Sequence, residues 1–303
     1  MLKTRMGDEI WLVTQPDHAA VSGYLAMRWG NEAFARPGHY APCPDPESLR
    51  NEVLFAIREH DNGWWEWEAD PRIDTDGLPL HLTDLAQRSS DDAMERWRFG
   101  VPRFARSHPY ASLLISWHAY WLYAPRAQED ADPAYAHPIF GSPRAQASRW
   151  DPQAEEARRF IAELEDLRRP LEASLASDPV RAAWLAPESL DPHVRLLQVL
   201  DSMSLALSSE VVAAREGEAI GIARYPVRIE RVARRGKDDR VDLDLVPSGE
   251  RRIICEPFPF DEDPLRVDVL VRRVPISATL ESRGPGWWHA YPKEPVRFEI
   301  ATA

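Results

Sequence analysis

The sequence has few cysteines, no long hydrophobic run and no cluster of basic residues, and each absence excludes a class of protein. Cys43 and Cys255 are the only cysteines among 303 residues, so they build neither a disulfide framework nor a cysteine-based zinc site. No stretch approaches about eighteen consecutive apolar residues, so we expect no transmembrane helix and no membrane partner. The first residues also lack the apolar run of a signal peptide, which predicts a cytoplasmic protein.

Charge and motif content narrow the function further. The formal net charge is −12, and the Lys and Arg residues are scattered along the chain. Non-specific binding of nucleic acid needs a basic surface that displaces phosphate counterions, so we expect no nucleic-acid partner. The sequence also lacks a Walker loop, a dinucleotide-binding fingerprint and a GxSxG nucleophile elbow. These patterns leave a small-molecule substrate as the expected partner and the oligomeric state open.

The hydrophobic pattern changes its period along the chain. In residues 1–212, apolar residues recur at helical spacing, as in PDPESLRNEVLFAIREH. In residues 213–303 they alternate with polar residues between turns rich in Gly, Pro and Asp, which is typical of antiparallel strands with one wet face. We therefore predict a mainly α-helical domain followed by a β-rich antiparallel segment packed on it. The buried face of that segment should carry Ile220, Ile222, Val227, Ile229, Leu243 and Leu245.

Several ionisable residues stand where a plain hydrophobic core would not place them. The stretch IREHDNGWWEWE ends a core-facing helix on the pair His60-Asp61. His18 and His118 lie on helix faces that are otherwise apolar, and Asp201 projects from the apolar face of a central helix. A buried carboxylate without a partner costs several kcal/mol, roughly, and no Lys or Arg lies within a turn of Asp201 on that face. A metal ion is one resolution of that cost.

Each of these residues also has a structural explanation. A single histidine on an apolar helix face is usually a hydrogen-bonded core residue. His60-Asp61 could be the carboxy-terminal pair of its helix, with Gly63 as the terminator. Asp201 could pair with a distant arginine. Chance can account for any one of these residues. It accounts poorly for all of them together on separate predicted helices, so the whole set favours a metal site.

The order of these residues resembles the HD-domain superfamily of metal-dependent phosphohydrolases. The resemblance rests on His18, on the adjacent pair in HDNG, and on Asp201 late in a central helix. It implies an HD-like helical fold with His18, His60, Asp61 and Asp201 as metal ligands, and His118 as the additional histidine of two-metal members. More narrowly, TQPDHA, HDNGWWEWE, SWHAY and LDSMSLAL resemble a bacterial family of unknown function.

The resemblance implies hydrolysis of a small phosphate ester or a nucleotide, with Asp61 and His118 as catalytic residues. His118 would either complete a second metal site or act as the general acid that protonates the leaving oxygen. A ligand set of histidines and carboxylates suits one or two divalent ions of Mn, Fe, Co, Ni or Zn. Two alternatives remain open. One is a non-catalytic ligand-sensing or interaction protein on an HD-like scaffold, and the other is a di-iron oxygenase.

Neighbouring residues each have more than one possible role. Trp64, Trp65 and Trp67 either wall a substrate pocket or pack in the core. Gln15 or Asp17 could fix the tautomer of His18 by a hydrogen bond. His81 is a weak candidate ligand and is expected at the surface.

Overall fold

The protein is a mixed structure in which helices pack on one large sheet. The computed structural model describes residues 1–82, 90–127, 137–138, 152–209, 212–213, 219–220, 226–279 and 286–303. Half of the chain (50%) is helical and 22% is in strands, with a curled seven-stranded mixed sheet that forms a half-barrel. The prediction of a mainly α-helical, HD-like fold is therefore wrong. The prediction expected a β-rich segment appended to a helical domain, whereas the structure has a seven-stranded sheet that includes strands from both ends of the chain.

The helices begin where the sequence supplies capping residues. Thr14 caps α1, because its hydroxyl accepts a hydrogen bond from the backbone nitrogen of Asp17 at 3.1 Å. Asp45 caps α2 in the same way through Ser48, also at 3.1 Å. The described helices are α1 (Gln15–Arg28), α2 (Pro46–Arg58), α3 (Trp65–Ala69), α4 (Ser90–Arg103), α5 (Pro109–Ala127), α6 (Pro152–Ala176), α7 (Pro179–Ala182), α8 (Pro187–Ser208) and α9 (Ile276–Thr279).

The main sheet joins strands from both ends of the chain. Its strands are β1 (Leu2–Met6), β2 (Glu9–Val13), β5 (Val227–Ala233), β6 (Arg240–Pro247), β7 (Arg252–Glu256), β8 (Leu265–Pro275) and β9 (Lys293–Ala301). They lie in the order β1-β2-β8-β9-β7-β6-β5. A separate pair, β3 (Val212–Ala213) and β4 (Ala219–Ile220), is antiparallel. The main sheet is mixed because β7 and β9 run parallel, whereas the sequence predicted antiparallel pairing throughout.

The amino-terminal hairpin was not predicted from the sequence. β1 and β2 pair through a tight turn at Gly7, whose φ of 63° is a conformation that glycine adopts without strain. β2 then pairs with β8, so that Ile10 lies opposite Val274. The hairpin depends on a partner strand distant in sequence, which a local pattern of five residues does not reveal.

The sheet buries one face against the helices. Alternate residues of β8 are buried and exposed, and α1 and α8 pack on the sheet through β8 and β5. Of the residues predicted for the buried face, Ile229, Leu243 and Leu245 are buried and Val227 is half-buried. Ile222 and the side chain of Ile220 lie outside the described residues. Among the described helices, none has the length and apolar character needed to cross a bilayer.

Candidate metal centre

Four helices and one connecting segment bring six ionisable side chains together in the interior. His18 lies on α1, His118 on α5 and Asp201 on α8, while His60 and Asp61 directly follow the last turn of α2. His137 joins them from the connection between α5 and α6. All six side chains are buried, with Asp201 only 4% exposed. We call these residues, His18, His60, Asp61, His118, His137 and Asp201, the histidine–aspartate cluster.

One half of the cluster consists of His18, His60, Asp61 and one carboxylate oxygen of Asp201. Nε2 of His18 lies 2.8 Å from Oδ2 of Asp61 and 3.6 Å from Oδ1 of Asp201. Nε2 of His60 lies 3.6 Å from Oδ2 of Asp61 and 3.5 Å from Oδ1 of Asp201. Two imidazoles and two carboxylates therefore face one another across a single small space.

The other half is built on the second oxygen of Asp201. Oδ2 of Asp201 lies 2.9 Å from Nε2 of His137 and 3.5 Å from Nε2 of His118. Each carboxylate oxygen of Asp201 thus faces its own pair of histidines. His137 was not predicted from the sequence, because it lies in a proline-rich connection without helical periodicity. A histidine in a loop carries no signal that separates it from a surface residue.

These buried groups could hold a metal ion. The ligand atoms of His18, His60 and Asp201 all lie within 4.8 Å of one another, and so do those of His118, His137 and Asp201. Nε2 of His60 is buried and, among the described residues, faces carboxylate oxygens at 3.5 and 3.6 Å without making a hydrogen bond. A buried polar atom without a hydrogen bond is costly, and a cation between the imidazoles and carboxylates would remove that cost. The donor set therefore fits a divalent ion.

Hydrogen bonds behind the cluster favour the ligand tautomers of two histidines. Nδ1 of His60 donates to the carbonyl oxygen of Ile57 at 2.8 Å, which leaves the lone pair of a neutral imidazole on Nε2, toward the carboxylates. Nδ1 of His18 lies 2.7 Å from the hydroxyl of Ser204. That hydroxyl donates to the carbonyl oxygen of Asp201 at 2.9 Å, so it is placed to accept from His18. A neutral His18 with its proton on Nδ1 would therefore turn the lone pair of Nε2 toward an ion, in place of the hydrogen bond that Nε2 makes with Asp61 here.

Neither residue considered for that role from the sequence bonds the ring of His18 in the described part of the chain. The side-chain oxygen of Gln15 makes no hydrogen bond there, and Asp17 bonds the hydroxyl of Thr14 and the ammonium of Lys293. Ser204 lies one turn beyond Asp201 on α8, so the same helix supplies a carboxylate and the group that orients its neighbour. This pairing across distant segments is not visible in the sequence.

Ser204→Ala should weaken metal binding about 10- to 100-fold, the usual cost of removing a hydrogen bond that orients a ligand histidine. Competition with a chromogenic chelator measures that affinity directly. Ser208→Ala is a matched control on the same helix, because the Ser208 hydroxyl is buried and makes no hydrogen bond with any described residue. Equal affinities for the two variants would contradict the role of Ser204.

Burial and the two carboxylates set the protonation of the cluster in opposite directions. Burial alone would lower the pKa of His60, but the charges of Asp61 and Asp201 raise it to about 9. Burial lowers the pKa of His118 to about 4 and also lowers that of His137, despite the opposing effect of Asp201. Burial would raise the pKa of Asp201, yet contacts with His118, His137 and His60 hold it well below its usual range. The ionised Asp201 therefore faces two histidines that burial keeps neutral, His118 and His137, whereas the raised pKa of His60 favours its protonated form.

Within the described residues, every ion-pair partner of Asp201 is a histidine. The alternative in which Asp201 pairs with a distant arginine does not hold there. Another buried histidine shows what a purely structural one looks like. Nε2 of His193 accepts from the backbone of Gly38 at 3.0 Å, and Nδ1 lies 3.0 Å from the hydroxyl of Tyr110. Both ring nitrogens of His193 are thus bonded to neutral groups, whereas Nε2 of His60 faces the carboxylates of Asp61 and Asp201.

His81 is buried and not at the surface as expected. Burial, followed by the nearby positive charges of the amino terminus and Lys3, lowers its pKa to about 3. His81 therefore lies near the amino-terminal strand, and it belongs to neither of the two potential metal-binding groups in the described part of the chain.

The glycine of HDNG serves close packing. A Cβ on Gly63 would lie 1.8 Å from the carbonyl oxygen of Arg96 on α4, and the φ of Gly63 is not positive. Gly63 is therefore not the left-handed helix terminator considered from the sequence. It lets the turn that follows His60 and Asp61 pack directly against α4.

The three tryptophans after Asp61 divide between the two roles proposed for them. Trp64 and Trp67 are buried in a small hydrophobic cluster with Trp288. Trp65 is 40% exposed. Only Trp65 is therefore available to a ligand, and core packing accounts for the other two.

A cleft of about 110 Å³ connects the surface with Asp61. Its described lining comes from α1, the end of α2 and the following turn: Pro16, Ala19, Ala20, Arg58, Glu59, Asp61, Asn62 and Trp65. Asp61 is the one cluster residue in that lining. It bonds His18 through Oδ2, and no hydrogen bond within the described residues uses Oδ1. A molecule in the cleft would therefore meet the cluster at Asp61.

Fold and site together define a mixed α and β protein whose helices enclose a potential metal centre of histidines and aspartates. Residues 1–276 match the family described as Protein of unknown function (DUF3891), and the chain belongs to this family. The matched region contains every residue of the histidine–aspartate cluster. No curated protein and no solved structure matched the chain.

Proposed function

We propose that the protein is a metal-dependent hydrolase of small phosphate esters, in which Asp201 and the histidines around it would hold one or two divalent ions. The observation that carries this proposal is that the two oxygens of Asp201 face different histidines. Oδ1 faces His18 and His60. Oδ2 faces His118 and His137. Carboxylates that bridge two ions present their oxygens in this way. Paired ions about 3.5–4 Å apart are a recurrent arrangement for phosphate-ester hydrolysis.

The donor types narrow the choice of metal. Four imidazoles and two carboxylates suit Mn, Fe, Co, Ni or Zn better than Ca or Mg, which prefer oxygen ligands. When bound, such an ion lowers the pKa of a coordinated water and polarises a phosphoryl oxygen. Asp61 and Asp201 would supply two negative charges, which neutralise one divalent ion or half of the charge of two.

Asp61 is the residue placed to act on a substrate. It lines the cleft, and its Oδ1 is not engaged in any hydrogen bond among the described residues. Asp61 can therefore orient a water molecule and accept its proton as the phosphate ester enters from the cleft. His118 is not in the described lining and faces Oδ2 of Asp201, which favours a ligand role for it over that of general acid.

Metal removal tests this proposal. Protein purified without a histidine tag should contain up to two transition-metal ions per chain by mass spectrometry, one for each potential group. Dialysis against a chelator should abolish release of phosphate from a panel of organic esters, and Mn, Co, Ni or Zn should restore it. Protein that binds metal but releases phosphate under no condition would contradict the hydrolase. Oxygen uptake by the iron form alone would instead support the oxygenase.

A further inference from the structure

We infer that the cleft beside Asp61 selects an organic phosphate with a planar apolar group, through Arg58 and Trp65. This inference rests on the proposed function, since it names the substrate class of the same site. Both residues line the cleft, and they differ in chemistry from the remaining described lining, which is small, acidic or amide-bearing. Arg58 can therefore be assigned to the phosphate of the ligand and Trp65 to its planar group.

Arg58 is the one cationic side chain in the described lining, and its side chain is 63% exposed. Its Nε lies 3.2 Å from Glu59, while no ion pair or hydrogen bond within the described residues uses its terminal nitrogens. A guanidinium with free terminal N–H groups is a strong bidentate partner for phosphate oxygens. Arg58 is thus placed to bind the phosphoryl oxygens on the side away from the cluster.

The stem of Arg58 is held in position by close packing of α1 on α2. A Cβ on Gly23 would lie 2.7 Å from Cβ of Arg58. The absence of a side chain at Gly23 therefore lets the end of α2 approach α1 closely. Ala19 and Ala20, on α1, line the cleft with short side chains and leave room for a ligand between the two helices.

Trp65 offers a fixed aromatic surface at the same cleft. The guanidinium of Arg103 lies 4.8 Å from the centre of its ring, and Glu66 holds Arg103 through both carboxylate oxygens at 2.8 Å. The ring of Phe104 packs edge-on against the Trp65 ring, with 6.0 Å between the two ring centres. These contacts fix the orientation of the indole while leaving 40% of the residue exposed. A planar group beside the phosphate can pack on this surface.

Binding of two non-hydrolysable probes tests the inference. We expect metal-loaded protein to bind phenylphosphonate about 3- to 10-fold more tightly than methylphosphonate in calorimetry, because only the phenyl group packs on Trp65. Trp65→Ala should remove that preference, and Trp65→Phe should retain most of it. Arg58→Ala should weaken both probes about 10-fold or more, with partial recovery in Arg58→Lys. Phe99→Ala and Arg106→Ala remove an exposed aromatic and an exposed cation outside the described lining, and should leave both affinities unchanged.

Kinetics separate this inference from the proposed hydrolase. With an aryl phosphate, Trp65→Ala should raise KM more than it lowers kcat. If the loaded protein hydrolyses esters but neither Arg58→Ala nor Trp65→Ala changes binding or KM, the recognition inference is overturned and the hydrolase stands. If it hydrolyses nothing yet binds phenylphosphonate through both residues, the inference stands and the hydrolase fails. Failure of wild-type protein to bind either probe overturns the inference.

Discussion

Asp201→Asn should remove both metal ions from the protein. One carboxylate faces the two halves of the cluster, so a neutral amide weakens both sites at once. Loss of a hydrogen bond behind a ligand already costs about 10- to 100-fold in affinity, and loss of a shared ligand should cost at least about 100-fold at each site. The metal content of the variant, measured by mass spectrometry after gel filtration, should fall close to zero.

Two matched variants show whether this loss is specific. Asp191→Asn lies on the same helix, where Asp191 pairs with Lys237 at 3.4 Å near the surface, and it should keep its full metal content. His137→Ala should lose the ion held with His118 and keep the other. Helical content by circular dichroism should be unchanged in all three variants. Full occupancy in Asp201→Asn would show that Asp201 serves the fold alone.

Asp61→Ala should lower phosphate release by about 100- to 10,000-fold, the usual contribution of a positioned general base. Asp61 is the cluster residue that reaches the described cleft, so its removal takes the only cluster carboxylate out of that lining. The ion held by His118, His137 and Asp201 should remain, because Asp61 contacts only the other half. Turnover and metal content are measured on the same preparation.

The control for Asp61→Ala is Asp70→Ala, which removes an exposed carboxylate shortly after the cluster and should leave turnover unchanged. Asp61→Ala with normal turnover and normal metal content would remove Asp61 from the mechanism. A protein with no turnover in any variant, but with ligand-dependent stabilisation, would instead fit the non-catalytic sensor that the sequence also allows.

The resemblance to HD phosphohydrolases is limited to a short motif and a few separate residues. His60-Asp61 and Gly63 describe one turn and the groups it presents, whereas a fold depends on contacts along the whole chain. The curled sheet shows that the HD-like helical architecture does not accompany the motif here. The proposed hydrolysis therefore rests on the geometry around Asp201, and its tests do not depend on the fold.

Several features were determined by the sequence itself because they are local. Helix α1 follows from the cap at Thr14, and α2 from the cap at Asp45 with Pro46 after it. The alternation in β8 determined which of its faces is buried. A charged or ionisable residue on an apolar helix face is also a local pattern, which is why the sequence alone singles out His18, His118 and Asp201.

Only the tertiary structure decided what those faces meet. The pairing of β2 with β8 joins segments from opposite ends of the chain, and the parallel pairing of β7 with β9 reverses an expected direction. His137 enters from a connection without periodicity, and Ser204 reaches His18 from another helix. The physical reason is that hydrophobic periodicity encodes the orientation of a side chain relative to its own element. The partner across the interface depends on packing between elements, which no local pattern contains.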